Sequence, residues 1–318
     1  MDIVGCRKMF NPEVYKKTYG FKCHYIMDGL PPLYIFKPLF GNIIVTTSPY
    51  FTDTHFGNHS ADRWNEYVLK CVEFSKKHKA AYLLLKIAQP DLIEGLDKNQ
   101  FHVEHGFVKN ILDISVGEDK LFWETMSGKT RNQIRKGLSN NPVIRFGREE
   151  LLDDFYKIIA ITQTDLGTPV HSIKFFRNIL AIHAEARLAV IYLDGVAVSA
   201  ALILFANHTI YHPYAGTLNK SKHTCVNNVL YWEIIKLGIQ NSCKIFDMGR
   251  SLKGSGNARY KKSWGGREIQ LFYAYCLKEG QSPPQYDTRM MYYLTSAWKY
   301  LPAFLAKTIG HFFIRYII

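Results

Sequence analysis

The sequence predicts a mixed α/β fold (α+β mixed sheets) built as two similar units in tandem. Three observations carry this. β-type runs alternate with segments of helical period instead of clustering by type. The same alternation returns in the second half. At ~150 residues per domain, 318 residues supply two cores. A composition of 47% hydrophobic and 21% charged residues excludes wholesale disorder and a multi-span membrane protein. With no low-complexity tract or disordered linker, the units are expected to divide within the basic stretch Ser127–Arg148, as 1–147 and 148–318.

The first half opens on YIFKPLFGNIIVTTSPY, Tyr34 to Tyr50, where Gly41 and Asn42 separate two β-type stretches as in a hairpin. From Ala61 to Lys79, Trp64, Val68, Cys71, Val72 and Phe74 recur at helical spacing, and Ala81–Ile87 is a strand-like run. Phe101–Val116 supplies a strand pair around Gly106, and Glu118–Met126 begins a helix with acidic residues near its start. In the second half, Glu149–Ile161 and Ser172–His183 read as helices. Ala186–Leu193 and Val196–Phe205 flank Asp194-Gly195, a strong hairpin signal. A strand at His208–Tyr214, a helix at Asn227–Gln240, and strands at Lys244–Met248 and Ile269–Leu277 follow.

Forty Lys and Arg against 27 Asp and Glu give a net charge of +13, a field that attracts nucleic acid, phosphorylated donors or an acidic membrane. The six cysteines include no C-x-x-C pair, so they read as free thiols of a reducing compartment, and no metal site is expected. Met1–Asn11 lacks the apolar run of a secretory signal, and a cytoplasmic location is expected. The segment from about 292 to 318 is too interrupted by Lys299, Lys307, His311 and Arg315 to span a membrane. It reads as one amphipathic helix, with Leu301, Leu305, Ile309, Phe312 and Tyr316 on the other face, for packing on the protein or resting on the inner membrane face.

Two basic clusters hold the candidate chemistry. In the first, Lys129, Arg131, Arg135, Lys136, Arg145 and Arg148 follow one another with no carboxylate between them. The second, FDMGRSLKGSGNARYKKSWGG from Phe246 to Gly266, joins a strand end to three glycine sites, the cations Arg250, Lys253, Arg259, Lys261 and Lys262, and the aromatics Tyr260 and Trp264. Gly254-Ser255-Gly256 before a helix aims backbone N–H groups at an anion, while Lys and Arg add charge and forked donors. No G-x-x-x-x-G-K-[ST], G-x-S-x-G or H-E-x-x-H occurs, which removes support for nucleotide hydrolysis and serine-esterase chemistry. His102 and His105 of H-V-E-H point to opposite faces of a strand and make a poor metal pair.

Taken with the helix NNVLYWEIIKLGI (Asn227–Ile239) and KTRNQIRKG (Lys129–Gly137), the second cluster resembles the FemAB-like branch of the GNAT acyltransferase superfamily. It is similar in particular to FemAB-related proteins of exosortase and exopolysaccharide loci, whose domain is also described as a BioF-like acetyltransferase domain. The resemblance runs from the Ile43–Pro49 region to Tyr275. It implies two tandem GNAT-like subdomains with a substrate channel at their junction, and transfer of an acyl or aminoacyl group to an amine. The implied donor is acyl-coenzyme A or aminoacyl-tRNA. The implied acceptor is a lipid-linked or nucleotide-linked saccharide precursor of exopolysaccharide or peptidoglycan type.

On this resemblance Lys261, with Tyr260 and Asp247, is the catalytic group. Arg250, Lys253, Gly254, Gly256, Arg259, Lys262, Arg131, Arg135 and Tyr231 bind donor or substrate. Lys261 is expected to meet an oxyanion or phosphate, and Asp247 to orient Arg250. The sequence also departs from the family: His171 and Phe175 stand where peptidoglycan-type members carry a phosphate-gripping Arg and Tyr. No coiled-coil arm is present, and Arg250 is four residues before Gly254 where the coenzyme A loop wants three. The rival class is non-enzymatic: a basic nucleic-acid-binding module, or a scaffold on a membrane surface.

Overall fold

The computed structural model describes residues 11–37, 42–47, 60–278, 280–284 and 289–314. Gly41 of the predicted turn and Arg315 and Tyr316 of the C-terminal stretch lie outside them. Among the described residues, one unit holds those up to Val108 and 269–284, and the other holds Lys109–Glu268 and 289–314. A single cut at 147/148 is therefore not the division found. Residues 109–147 fold with the second unit, because the chain leaves and re-enters the first unit along two strands.

In the first unit, α1 (Pro12–Tyr19) starts at Asn11, whose side chain accepts from Glu13 N. The strand order is β1 (Cys23–His24), β2 (Leu33–Phe36), β3 (Ile44–Thr46), β4 (Tyr82–Ile87), β11 (Arg267–Leu277) and β5 (Phe101–Asp113). β2 and β3 pair antiparallel, as the hairpin reading requires, whereas β3 and β4 pair parallel and need a crossover. α2 (Ala61–Lys77) supplies it and buries Trp64, Tyr67, Val68, Cys71 and Val72 among Leu83, Leu85 and Ile87. The strand pair expected around Gly106 is one strand of 13 residues. Gly106 keeps an ordinary φ, and a glycine makes a turn only where the backbone turns left-handed.

The second unit continues from β5 through β10 (Ile245–Leu252), β9 (Thr209–Thr217), β8 (Val196–Ala206), β7 (Arg187–Leu193) and β6 (Val143–Gly147). Asp194 and Gly195 both take positive φ, as a tight β7–β8 hairpin demands. The parallel pair β9–β10 is bridged by α6 (Val226–Gln240), which buries Val229, Leu230, Ile234 and Ile235 against Ile203, Ile210, Phe246 and Met248. α3 (Gly128–Leu138), α4 (Leu152–Asp165), α5 (Ile173–Ile182) and α7 (Gly256–Lys262) complete the elements between the strands.

The C-terminal stretch forms two helices, α8 (Arg289–Lys299) and α9 (Ala303–Ile314), where the sequence reading has one. Pro302 has no N–H to continue the first helix and disfavours helical φ/ψ at Leu301. Its buried face is also different. Ala306, Gly310 and Ile314 face inward, with Gly310 close against the Val170 backbone, while Leu305 and Phe312 are exposed. Small residues let α9 approach α4 and the Val170 segment, so the larger apolar side chains are left outside.

Candidate active site

The centre of the second unit is a sheet that comes apart. β9 and β10 pair only at Thr209–Ile245, Ile210–Phe246 and Tyr211–Asp247, although β9 runs on to Thr217 and β10 to Leu252. Pro213 contributes no N–H, and the β8–β9 register slips at this point: Leu204 faces Tyr211 while Leu202 faces Tyr214. On β10, Gly249 turns left-handed at φ 74°. The two parallel strands thus part just past Asp247, leaving an opening in which side chains from β5, β9, β10 and α7 assemble.

Lys261 of α7 reaches back to this turn. It is 7% exposed, and its Nζ donates to the carbonyls of Gly249 and Arg250, both at 2.9 Å. Burial pulls its pKa down to about 8, with Asp247 opposing that shift and Arg250 adding to it. An ammonium has three N–H bonds, and the two carbonyls occupy two of them. The third is available to a developing negative charge beside it.

Asp247 is buried, and its two oxygens are engaged: Oδ2 by Lys109 Nζ at 3.2 Å, Oδ1 by Gly249 N at 2.8 Å. It holds the turn that presents the Gly249 and Arg250 carbonyls, and it anchors a lysine of β5. Asp247 thus binds both Lys109 and the Gly249 N–H.

Tyr260 ends a run of polar contacts from the sheet. Ser199 and Thr217 hydroxyls lie 2.7 Å apart, Thr217 Oγ1 donates to Asn227 Oδ1 at 3.2 Å, and Asn227 Nδ2 donates to the Tyr260 hydroxyl at 2.9 Å. Burial raises the Tyr260 pKa, so the hydroxyl stays protonated and keeps its own O–H to donate. Tyr231 packs edge-on to Tyr260 at 5.5 Å and stacks on Trp264 at 5.6 Å, fixing the far side of α7.

The three segments that carry the family resemblance converge here. Thr130 Oγ1 and Ser127 N both donate to Ser263 O at 3.0 Å, tying the start of α3 to the end of α7. Asn228 donates to Gln133, joining α6 to α3. A Cβ on Gly137 would stand 2.4 Å from Val229 Cγ2 and 2.8 Å from Cys225 O, so the two helices touch only because that position is glycine.

The remaining predicted residues separate into two groups. Near Lys261, Arg250 contributes its carbonyl, and Gly254 (φ 73°) and Ser255 shape the entry to α7, with Ser255 Oγ accepting from Ala258 N. Gly256 is the first helical residue, Arg259 binds back to Gly254 O, and Lys253 and Lys262 are exposed. Arg131 and Arg135 belong to a different surface. Arg131 donates to the carbonyls of Phe122, Trp123 and Met126, closing the π-helical turn Leu121–Thr125, and Arg135 lies over the rings of Phe122 and Trp123.

His171 is buried and stacked on Phe175 at 4.0 Å, and burial lowers its pKa to about 3. An uncharged, enclosed ring does not grip a phosphate. The sequence reading does not single out Lys109, Asn110, His212 or Ser251, polar residues within strands. Pro213 inside a strand was the one local signal of a break.

Residues 126–262 match the family model of the acetyltransferase (GNAT) domain. The crystal structure of FemX is similar at TM-score 0.65 and 17% identity, covering 83% of this chain and 90% of that one. The C-terminal domain of a putative lysylphosphatidylglycerol synthetase from Agrobacterium fabrum gives 0.63 at 10% identity, over 87% and 90%. L-PGS from Bacillus licheniformis gives 0.59 at 14%, over 87% and 88%. These likenesses establish a common fold, in agreement with the FemAB-like resemblance. No curated protein matches the sequence.

Proposed function

We propose that the protein transfers an acyl or aminoacyl group onto an amine of a cell-envelope precursor, with Lys261 stabilising the oxyanion. The observation that carries the reading is the third N–H of the buried Lys261 ammonium, held in place by the Gly249 and Arg250 carbonyls. An uncharged amine attacks the acyl carbonyl carbon, a C–N bond forms, and the carbonyl electron pair moves onto oxygen, where Lys261 donates to it. Collapse of that intermediate breaks the bond to the leaving group, a thiolate for a coenzyme A donor or the ribose oxygen for an aminoacyl-tRNA. The proton lost by the amine goes to that group. Tyr260 supplies a second donor, and Arg250, Lys253, Arg259 and Lys262 supply positive charge for the phosphates of either donor.

Incubation with acyl-coenzyme A, charged tRNA and extracted exopolysaccharide or peptidoglycan precursors tests this by product mass. A precursor heavier by an acyl group or by one amino-acid residue identifies the donor, and no new mass with either donor overturns the reading.

A peripheral site of action at the membrane is supported by α8 and α9. Tyr293, Tyr300, Leu305, Phe312 and Phe313 are exposed there, and no Asp or Glu follows Asp287. Aromatic side chains with cations and no acids suit an anionic bilayer surface. No helix among the described residues is long and apolar enough to cross a membrane. Co-sedimentation with phosphatidylglycerol vesicles is expected, and binding that survives Phe312→Ser with Phe313→Ser counts against this surface.

A further inference from the structure

A file of two hydroxyls and one carboxamide crosses from the sheet of the second unit to α7. Ser199 on β8 is wholly buried and Thr217, the last residue of β9, is 5% exposed. Their hydroxyl oxygens lie 2.7 Å apart. Thr217 Oγ1 donates to Asn227 Oδ1 on α6 at 3.2 Å, and Asn227 Nδ2 donates to the Tyr260 hydroxyl at 2.9 Å. Side chains from two strands and two helices thus form one line that ends on a group placed beside Lys261 in the sequence.

The line has a direction, because each hydroxyl carries a single hydrogen. Thr217 gives its hydrogen to Asn227, so the short contact with Ser199 is filled by the Ser199 hydrogen, although Gly216 O at 3.1 Å is a second acceptor for it. With Oδ1 held by Thr217, the carboxamide turns its N–H end toward α7. Tyr260 then accepts from Asn227, and its own hydrogen is directed away from that contact. Donors on Trp264 and Asn227 both oppose the rise in Tyr260 pKa that burial causes, as expected for a phenol oxygen met by N–H groups. With the carboxamide turned over, Tyr260 would instead spend its hydrogen on Asn227 and could no longer donate it elsewhere.

We propose that Asn227 is a positioning residue: held by Thr217 and Ser199, it keeps the Tyr260 hydroxyl as a hydrogen-bond donor to the acyl-transfer transition state. The proposal rests on the acyl-transfer reading of the Lys261 site, in which Tyr260 is the second donor. Asn227 acts only through Tyr260. A donor already turned outward needs no rotation as charge develops on the carbonyl oxygen.

Steady-state transfer assays with acetyl-coenzyme A and with charged tRNA, on extracted envelope precursors, compare the wild type with Asn227→Asp, Thr217→Val and Thr217→Ser. A carboxylate at 227 keeps the shape but only accepts, so it draws the Tyr260 hydrogen inward. Asn227→Asp is expected to lower kcat about tenfold with KM within about twofold of wild type. Thr217→Val, which no longer holds Oδ1, is expected to lower kcat several-fold, about threefold, and Thr217→Ser to restore it. In a Tyr260→Phe background the Asn227→Asp effect should vanish, whereas a plain effect of the added negative charge would persist there. Thermal melts must show the variants folded; if Asn227→Asp does not fold, the Thr217 pair carries the same comparison. The proposal is overturned if kcat is unchanged in Asn227→Asp, if the loss persists in Tyr260→Phe, or if Thr217→Ser is as slow as Thr217→Val. Each of those results requires transfer by the wild type and leaves the acyl-transfer reading standing. Absence of transfer by the wild type with either donor overturns that reading, and the role of Asn227 with it.

Discussion

The chain has two basic clusters of similar composition, and the fold uses them differently. Around Lys261 a cation is buried, its ammonium is pinned by two backbone carbonyls, and its pKa falls to about 8. Along α3, Lys129, Arg135 and Lys136 stay exposed, and Arg131 spends its hydrogen bonds closing a turn of the backbone. Positive charge alone therefore does not mark a site. What distinguishes the two regions is whether the sheet beneath the cation opens, because only a dry enclosure makes one N–H count strongly toward a developing oxyanion.

The largest expected effect separates the clusters directly. Lys261→Met should lower kcat/KM for transfer by about a hundredfold or more, the scale of a lost oxyanion donor. A thermal melt must show the variant folded. The charged form of Lys261 predominates below its folded pKa, so transfer should decline as pH rises through about 8. Lys261→Arg should remove that alkaline decline in a pH–rate profile. A profile that still falls at the same pH in Lys261→Arg would assign the limb to another group. The lowered pKa also has a stability consequence. Between about 8 and the ordinary lysine value the unfolded chain holds the extra proton, so this residue favours the folded state more as pH rises there.

Gly137→Ala comes next. Its Cβ would press on Val229 and on the immobile Cys225 carbonyl, and urea unfolding should show a loss of about 1–3 kcal/mol, with activity falling as α6 is displaced. A loss below that range would mean that α3 and α6 separate freely. Arg131→Ala should cost about 1–2 kcal/mol of stability by freeing three carbonyls, with little change in KM for the donor. A large KM effect with unchanged stability would instead return Arg131 to the donor-binding group. The smallest effect belongs to Lys136→Gln, within about 0.5 kcal/mol in stability as expected of an exposed position.

Much of the fold was legible because it is local. The Asp194-Gly195 hairpin, the helical period from Trp64 to Val72, and the apolar strands at Tyr82–Ile87 and Arg187–Leu193 follow from turn chemistry and side-chain spacing. Gly106 misled because glycine permits a turn without requiring one. The C-terminal stretch misled because periodicity shows that a helix has two faces but not which one finds a partner, and here the small face of Ala306 and Gly310 did. In the site, Lys261 and Asp247 could be singled out from composition and resemblance. Lys109, Asn110 and His212 could not, since each is a polar residue of a strand that gains meaning only from its neighbours on other strands.

The sequence by itself determined the class of fold, the alternation of its elements and the cation-rich segment after β10, all set by interactions within a few residues. Only the tertiary structure decided which cation is buried, where the parallel strands part and which polar groups are enclosed. Those depend on residues far apart in the chain, such as Lys109 and Asp247 or Asn227 and Tyr260, whose contacts exist only once packing has excluded water from between them.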